Sequence, residues 1–294
     1  MIRCNACPRH CPVDRAAGEV GFCRMGNTLR IARAAPHKWE EPPISGTRGS
    51  GTVFFSGCNL GCIFCQNAPI SHGGQGFNVT DDEFVDTVLQ LQERGVHNIN
   101  LVTPTPFAHL LIPLLERLKP QLHVPLVYNC GGYESPEILR ALEGLVDIYL
   151  PDFKYVSPAL SHRYSGVSDY ATVAEMALVT MHESVGETVF DGDGILKKGM
   201  IVRHLVLPGS RADSMAVLDR LATILPIGGI KLSLMSQYTP MAGTPYPELS
   251  RRVTTFEYAS VLKHAINLGF DGYFQSRSSS GKQYIPDFEG DPNK

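Results

Sequence analysis

Three cysteines stand close together in the stretch SGCNLGCIFCQN, residues 56 to 67. Cys58, Cys62 and Cys65 have the spacing C-x3-C-x2-C, and Phe64 directly precedes the last thiol. Such tight spacing favours metal binding over a disulfide framework, which is typical of small secreted chains. A structural zinc site takes four ligands, but the next cysteine along the chain is 65 residues away. Three thiolates that hold a [4Fe–4S] cubane leave one of its irons open to a small molecule.

A second cysteine cluster lies nearer the N-terminus. Its four members, Cys4, Cys7, Cys11 and Cys23, follow the spacing C-x2-C-x3-C-x11-C. Four thiolates can close around a zinc ion or hold a second [4Fe–4S] cluster that relays electrons. The number of thiols leaves both alternatives open. The eighth cysteine, Cys130, is interpreted as a packed thiol at the end of a strand.

The elements that must position these thiols alternate between strand and helix. The run TVFFS, residues 52–56, is β-branched and aromatic and directly precedes the three-cysteine motif. Capping boxes, Thr80 with Glu83 and Thr254 with Glu257, open two of the helices. At least six strand–helix units in succession predict an α/β fold with a mainly parallel sheet, open or curled toward a barrel. In such folds ligands bind at the carboxyl ends of the strands, where the motif stands.

The three-cysteine motif resembles that of a known superfamily. C-x3-C-x-aromatic-C on the loop after a first strand is similar to the signature of radical S-adenosylmethionine (SAM) enzymes. The runs WEEPPISGTRGSGTVFFSGCNLGCIFCQN and CNACPRHCPVDRAAGEVGFC look like the orphan, X-type homologues of pyruvate formate-lyase activating enzyme. YNCGGYES and DIYLPDFKY fit the same group, so the resemblance covers nearly the whole chain.

The resemblance implies a fold, two domains and a chemistry. The fold is a partial (β/α)6 TIM-like barrel of the radical SAM type over residues 46–294, preceded by a four-cysteine metal-binding module at residues 1–45. A [4Fe–4S] cluster on Cys58, Cys62 and Cys65 would chelate the amino and carboxylate groups of SAM through its free iron. One electron from a flavodoxin or ferredoxin cleaves the S–C5′ bond, and the 5′-deoxyadenosyl radical abstracts a hydrogen atom. In the activating enzymes that hydrogen comes from a glycine of a glycyl radical enzyme.

The resemblance also indicates which residues bind the cofactor. Asn129 would lie near the SAM carboxylate, although an ordinary turn explains the glycines that follow it equally well. Asp152 and Lys154 match the family's Leu-Asp-x-Lys element; opposite charges at the end of an apolar strand bind a ligand or pair with each other. Arg203 resembles a barrel arginine near SAM, with a buried structural arginine as the alternative. Together with the motif residues, the predicted cofactor-binding set is Phe64, Asn67, Asn129, Asp152, Lys154 and Arg203.

One position departs from the family pattern. Activating enzymes usually bind the SAM amino group through a Gly-Gly-Glu element after the second strand, whereas residues 103–106 of this chain read Thr-Pro-Thr-Pro. Thr103 and Thr105 offer hydroxyls in place of the missing carboxylate, and we include both in the predicted set. This departure leaves room for a radical reaction on another peptide, an RNA or a small molecule.

The composition of the chain limits which binding partners and which cellular compartment we expect. The 294 residues are 43% hydrophobic with a net charge of −3, which is typical of a globular protein without a general attraction for nucleic acid. The basic N-terminal segment has Phe22 as its only aromatic before Trp39, so we interpret it as a solvated face. No apolar run reaches the roughly 18 residues of a membrane span, and the first residues lack a signal-peptide core. We therefore expect a cytoplasmic protein; a non-catalytic iron–sulfur or zinc protein is the alternative of another class.

Overall fold

The computed structural model describes residues 3–240 and 243–275, and the fold is given for these residues. The end of the predicted barrel domain, residues 276–294, lies outside them. The strands are β1 Arg30–His37, β2 Ser50–Phe55, β3 Phe77–Asn78, β4 Ile99–Val102, β5 Leu126–Cys130, β6 Ile148–Pro151, β7 Val189–Phe190, β8 Leu196–Leu205, β9 Lys231–Met235 and β10 Gly272–Phe274. The α-helices are α1 Pro42–Ser45, α2 Ala68–Ser71, α3 Asp81–Glu93, α4 Ala108–Leu118, α5 Pro136–Ala141, α6 Pro158–Ser165, α7 Tyr170–Val185, α8 Arg211–Ile224 and α9 Thr255–Asn267.

These strands form one sheet in the order β10-β9-β8-β6-β5-β4-β2-β1-β3, with β7 paired to β8 beside this path. Each neighbouring pair from β10 to β2 in that order is parallel. β1 runs antiparallel to both β2 and β3. The predicted α/β fold with a mainly parallel, partial-barrel sheet is therefore confirmed.

β1 was not among the strands that the sequence predicted. Its run RIARAAPH is rich in alanine and contains Pro36, and both residue types are poor in strands. It forms because the free edge of β2 offers backbone partners from Ile31↔Phe55 to His37↔Ser50. Tertiary pairing here outweighs local preference.

The central strands are continuous apolar runs in the sequence, and their burial explains this pattern. Every residue of β2, β4, β5 and β6 is buried, as expected for parallel strands whose two faces are both covered. Both predicted capping boxes are present, Thr80 with Glu83 at the start of α3 and Thr254 with Glu257 at the start of α9. The helices thus begin where the sequence indicates and pack against an apolar sheet.

The turns after the parallel strands meet at one edge of the sheet. The loop after β2 carries the three-cysteine motif, and the turns after β5 and β6 carry Gly132 and Asp152. Gly132 has φ +81°, and a Cβ there would overlap the carbonyl oxygen of Asp152, so the two turns can approach only because this residue is glycine. The fold therefore gathers residues far apart in sequence at a single edge.

None of the helices within the described residues has the length and apolar character needed to cross a membrane.

Candidate active site

A cavity of about 230 Å³ opens at the carboxyl edge of the parallel strands. The three motif thiols line it, together with side chains from the ends of β4, β5, β6, β8 and β9. All of the predicted cofactor-binding residues except Thr105 are on its wall: Phe64, Asn67, Thr103, Asn129, Asp152, Lys154 and Arg203. The structure thus brings together residues from position 58 to position 203.

Each sulfur of the three-cysteine motif has a hydrogen-bond partner. A backbone N–H of the same loop donates to Cys58 Sγ at 3.3 Å. The Ser165 hydroxyl lies 3.0 Å from Cys62 Sγ, and the Ser71 hydroxyl lies 3.2 Å from Cys65 Sγ. Hydrogen bonds to the sulfurs stabilise thiolates and tune the potential of a bound cluster. The sequence analysis missed both serines, and Ser165 is more than a hundred positions from its partner.

Phe64 anchors the motif loop to the core. Its ring makes edge contacts with Tyr155, Tyr164 and Tyr238 at centroid distances of 6.5, 6.4 and 6.3 Å. The backbone N–H of Ile63 donates to the Tyr164 carbonyl at 2.9 Å and ties the same loop to α6. Aromatic edge contacts add specific geometry to the area that the ring buries. The aromatic position of the motif therefore holds the flanking thiols in place.

The ionisation of the motif thiols bears on which cofactor they can hold. Burial raises the pKa of Cys58 and Cys62; the neighbouring cysteines add to this at Cys58, whereas Lys154 opposes it at Cys62. These thiols therefore ionise in the folded protein only with compensating positive charge, as iron supplies. Over residues 3–240 and 243–275, no three Cys, His, Asp or Glu side chains converge closely enough for one metal ion. Three thiols on one cavity wall are the number that holds a cubane and leaves one of its irons open to a small molecule.

Cys130 is a fourth thiol on the same wall, but its surroundings differ. Burial is the main reason why the pKa of Cys130 is well above its ordinary value, and Arg203 offsets it only weakly. At Cys62, in contrast, Lys154 is the first influence that opposes burial. Cys130 is therefore a neutral packed thiol, and three thiols face the cavity as candidate ligands.

A charged network forms the floor of the cavity. Lys154 Nζ donates to Asp152 Oδ2 at 2.5 Å, and Arg203 Nε donates to Asp152 Oδ1 at 3.0 Å. The Arg203 guanidinium also donates to Asn129 Oδ1 at 2.5 Å and lies 3.5 Å from Glu40 Oε2. Both structural alternatives of the sequence analysis, an ion pair and a buried arginine, are present, and the same atoms line the cavity.

Asp152, Lys154 and Arg203 stay charged at neutral pH, whereas burial opposes the ionisation of Glu40. Burial disfavours the Asp152 carboxylate, but Lys154 and Arg203 outweigh it and lower the pKa of Asp152. Burial also disfavours both cations, but Asp152 outweighs it and raises the pKa of each. Burial raises the pKa of Glu40, with Arg203 acting against it. The floor can therefore offer fixed charges of both signs to a zwitterionic ligand.

The two threonines of the Thr-Pro-Thr-Pro segment, Thr103 and Thr105, have different surroundings. Thr103 has φ +57°, a left-handed conformation that is rare for a β-branched residue, and its N–H donates to the Asn129 carbonyl at 2.8 Å. Thr105 is 1% exposed and its hydroxyl donates to Glu134 Oε1 at 2.8 Å, away from the cavity. Burial raises the pKa of Glu134 to about 8 even though Thr105 and Tyr128 donate to it. Only Thr103 of the two threonines therefore reaches the cavity.

The four N-terminal cysteines surround a separate, smaller space. Cys4, Cys7, Cys11 and Cys23 line it together with Asn59 of the three-cysteine motif. The structure thus brings the second predicted set of thiols together next to the first.

Comparison with known proteins agrees with this geometry. Residues 52–178 match the family model of the Radical SAM superfamily, and the match includes the three-cysteine motif and the turns after β4, β5 and β6. Residues 52–178 are therefore similar to the radical SAM superfamily, whose members use a [4Fe–4S] cluster and SAM. The thiols, the cavity and the charged floor fit both.

Among individual proteins, uncharacterized protein MJ0674 of Methanocaldococcus jannaschii is 27% identical over 278 residues, 91% of this chain and 75% of the relative. A radical SAM methyltransferase from Sphaerobacter thermophilus superposes with a TM-score of 0.53 at 15% identity, covering 79% of this chain and 67% of that one. Streptococcus suis SuiB bound to S-adenosylmethionine gives 0.53 at 11% identity, covering 74% and 48%. At these identities the structural likeness establishes the fold.

Proposed function

We propose that this chain is a radical SAM enzyme whose [4Fe–4S] cluster is held by Cys58, Cys62 and Cys65. The observation that carries the proposal is the shared cavity, into which the three thiols and the charged floor of Asp152 and Lys154 both open. When bound, the cluster and SAM supply a 5′-deoxyadenosyl radical that abstracts a hydrogen atom from the substrate.

The chain's own residues bind and orient the cofactor. The SAM amino acid group carries a carboxylate and an ammonium, and the floor offers Arg203 and Lys154 for the first and Asp152 for the second. Thr103 and Asn129 add neutral polar groups at the same edge. Because these charges are fixed by one another, they need little rearrangement when a ligand binds.

We further propose that the substrate is a protein, as in the activating enzymes of glycyl radical enzymes, and that a flavodoxin or ferredoxin donates the electron in the cytoplasm. The resemblance of the runs around Trp39 and Cys58 to the X-type homologues supports this choice. A second candidate is radical modification of another peptide, an RNA or a small molecule. The observation that favours it is Thr103, which stands in the cavity where activating enzymes place a Gly-Gly-Glu element.

The first experiment is anaerobic reconstitution with iron and sulfide, followed by dithionite and SAM. We expect 5′-deoxyadenosine, detected by mass spectrometry, and its loss in Cys62→Ala. Met176→Ala, which changes a side chain 49% exposed on α7, is the matched control and should retain the activity. If reconstituted protein with a full cluster forms no 5′-deoxyadenosine, the non-catalytic iron–sulfur alternative is correct.

A second experiment separates the two candidate substrates. Reaction with a candidate glycyl radical enzyme should give a doublet in electron paramagnetic resonance that disappears when the partner's glycine is changed to alanine. Release of 5′-deoxyadenosine that peptides or RNA stimulate, with no doublet from the partner, selects the second candidate.

A further inference from the structure

A second cavity, of about 300 Å³, lies next to the segment that follows the three-cysteine motif. One wall comes from residues 24–30, which follow Cys23, and the other from residues 72–78, which follow α2. Two arginines line the cavity, Arg24 and Arg30, and none of the described residues on its wall is acidic. Its volume is at the lower end of the range for small-molecule sites. The cavity therefore has room for a small ligand that carries negative charge.

Arg24 is exposed, and its contacts hold it across this cavity. Its φ of +60° is a left-handed backbone conformation that is rare for residues other than glycine, and its N–H donates to the Gly21 carbonyl at 2.9 Å. Its guanidinium donates to the His72 carbonyl at 2.9 Å, on the opposite wall. Strained backbone conformations of this kind are concentrated at ligand clamps and active sites. The position of this guanidinium is therefore set before any ligand binds.

Arg30 belongs to β1 and is also positioned by neutral groups. Its Nε donates to the Gly74 carbonyl at 3.1 Å, and its Nη1 donates to Asn78 Oδ1 at 3.2 Å. All hydrogen-bond partners of Arg24 and Arg30 among the described residues are neutral. A guanidinium has five N–H donors, so both arginines retain donors for a ligand. Two positive charges thus line the cavity without a negative side chain to balance them.

His72 adds a nitrogen without a partner to the same wall. Its Nε2 is buried and has no hydrogen-bond partner within the residues that the structure describes. A buried polar atom without a partner costs free energy, and such an atom in a native structure is commonly explained by a bound ion, ligand or water. This nitrogen is a third polar group, beside the two guanidinium groups, that a ligand can contact.

We propose that this cavity binds a phosphate monoester through its phosphoryl group. A phosphoryl group carries a charge of about −1.5 to −2 at pH 7, which matches the two arginines, whereas a carboxylate supplies one negative charge. Guanidinium groups bind phosphate oxygens through paired, charge-assisted hydrogen bonds. Free inorganic phosphate has the same chemistry as the ester group, and competition between the two distinguishes them.

The walls of this cavity continue into the loop that carries the motif thiols. On one side they continue into α2, where the Ser71 hydroxyl lies 3.2 Å from Cys65 Sγ. On the other side, Met25 packs so closely against Gly57, directly before the first motif thiol, that a Cβ there would overlap the Met25 side chain. A ligand that joins the two walls therefore braces this loop at both ends. The phosphate site goes beyond the proposed function and does not depend on it.

Equilibrium dialysis of the reconstituted protein with radiolabelled inorganic phosphate tests the proposal. SAM is present to occupy the first cavity, and ionic strength is held constant because salt screens such charges. We expect one phosphate bound per chain. Glycerol 3-phosphate should displace it at a concentration no higher than that of unlabelled phosphate, and acetate only at a concentration about tenfold higher or more. Absence of bound phosphate, displacement by acetate as effective as by phosphate, or no displacement by glycerol 3-phosphate would overturn the proposal.

Substitution of the arginines locates the binding site. Arg24→Gln changes an exposed side chain and should weaken phosphate binding about tenfold or more, because a charge-assisted contact is lost. Arg30→Gln should have a similar effect. Arg117→Gln, at an exposed ion pair with Asp82, is the matched control and should bind phosphate normally. Unchanged binding by Arg24→Gln, or equal weakening in the control, would place the phosphate elsewhere and refute the site.

The outcomes separate this proposal from the proposed function. Phosphate binding that depends on Arg24, in a protein that forms no 5′-deoxyadenosine, refutes only the enzyme. Formation of 5′-deoxyadenosine by a protein that binds no phosphate refutes only the phosphate site.

Discussion

Arg9 donates from Nε to the Asn59 carbonyl oxygen at 2.5 Å, and its guanidinium stacks 3.4 Å from the centroid of the Phe22 ring. Asn59 lies between the first two cysteines of the three-cysteine motif, and its side chain in turn donates to the Tyr133 carbonyl at 2.5 Å. One arginine thereby joins the N-terminal four-cysteine segment to the loop that carries Cys58, Cys62 and Cys65.

Removal of the Arg9 side chain should loosen that junction. We expect Arg9→Ala to lower the free energy of unfolding by about 1–3 kcal/mol, because one hydrogen bond and one cation–π contact are lost. The catalytic loop should also lose iron faster in air, measured by absorbance at the cluster bands. Arg117→Ala, at an exposed ion pair with Asp82, is the control and should change stability by less than about 1 kcal/mol. Equal iron loss in both variants would show that Arg9 does not brace the loop.

Arg203 should be indispensable to the charged floor. Arg203→Gln leaves Asp152 with Lys154 alone and Glu40 without its cation, so we expect a loss of about 3–5 kcal/mol in the free energy of unfolding. Equilibrium dialysis should show weaker binding of SAM to the reconstituted protein. The free energy of unfolding is measured by urea denaturation and SAM binding by dialysis, both on the same preparation.

Two further variants control this prediction. Arg220→Gln breaks an exposed pair with Glu175 and should leave SAM binding unchanged. Glu40→Gln combined with Arg203→Gln should recover part of the lost stability, because the unpaired carboxylate is then gone. A double variant no more stable than Arg203→Gln would mean that Glu40 carries no charge once Arg203 is removed.

We expect Phe64 to act by packing its ring against neighbouring rings and not by taking part in a reaction. Phe64 is 8% exposed among three tyrosine rings, so we expect Phe64→Ala to cost about 3–5 kcal/mol of stability. The freed loop should also retain fewer than four irons on the catalytic thiols. Phe64→Leu keeps most of the volume and is expected to cost less than about 1.5 kcal/mol and to retain the iron. Similar iron contents in the two variants would contradict an anchoring role.

Glu134 should make stability fall as pH rises through the neutral range. Burial raises its pKa from 4.5 to about 8 in the folded protein, so between these values the folded state binds more protons than the unfolded state. The free energy of unfolding should therefore decrease from pH 4.5 toward pH 8, and this slope should be shallower in Glu134→Gln. Thermal denaturation at half-unit pH steps measures it.

The slope, rather than the absolute stability, is the informative quantity. The Glu134→Gln substitution places an amide where Thr105 or Tyr128 donates, which lowers stability at every pH. Glu116→Gln changes an exposed carboxyl on α4 and should leave the slope as it is. Parallel curves for all three proteins would mean that Glu134 ionises normally.

Much of the fold was predictable because its signals are local. The strand before the motif, both capping boxes and the alternation of strand with helix depend on neighbours within a few positions. β1 was missed because its stability comes from the edge of β2 and not from its own residues. The same distinction applies to the site. Asp152 and Lys154 are two positions apart and were predicted together, whereas Glu40 and Ser165 were missed.

The sequence by itself determined that three cysteines stand on a loop after a strand, and that a second set of four precedes them. It also determined that parallel strands deliver their turns to one edge, because that follows from alternation of strands and helices. Only the tertiary structure decided that Glu40 pairs with Arg203, that Ser165 meets Cys62 and that Thr105 turns from the cavity to Glu134. Hydrogen bonds and ion pairs act over a few ångströms in space, so their partners depend on chain packing and have no fixed spacing in sequence.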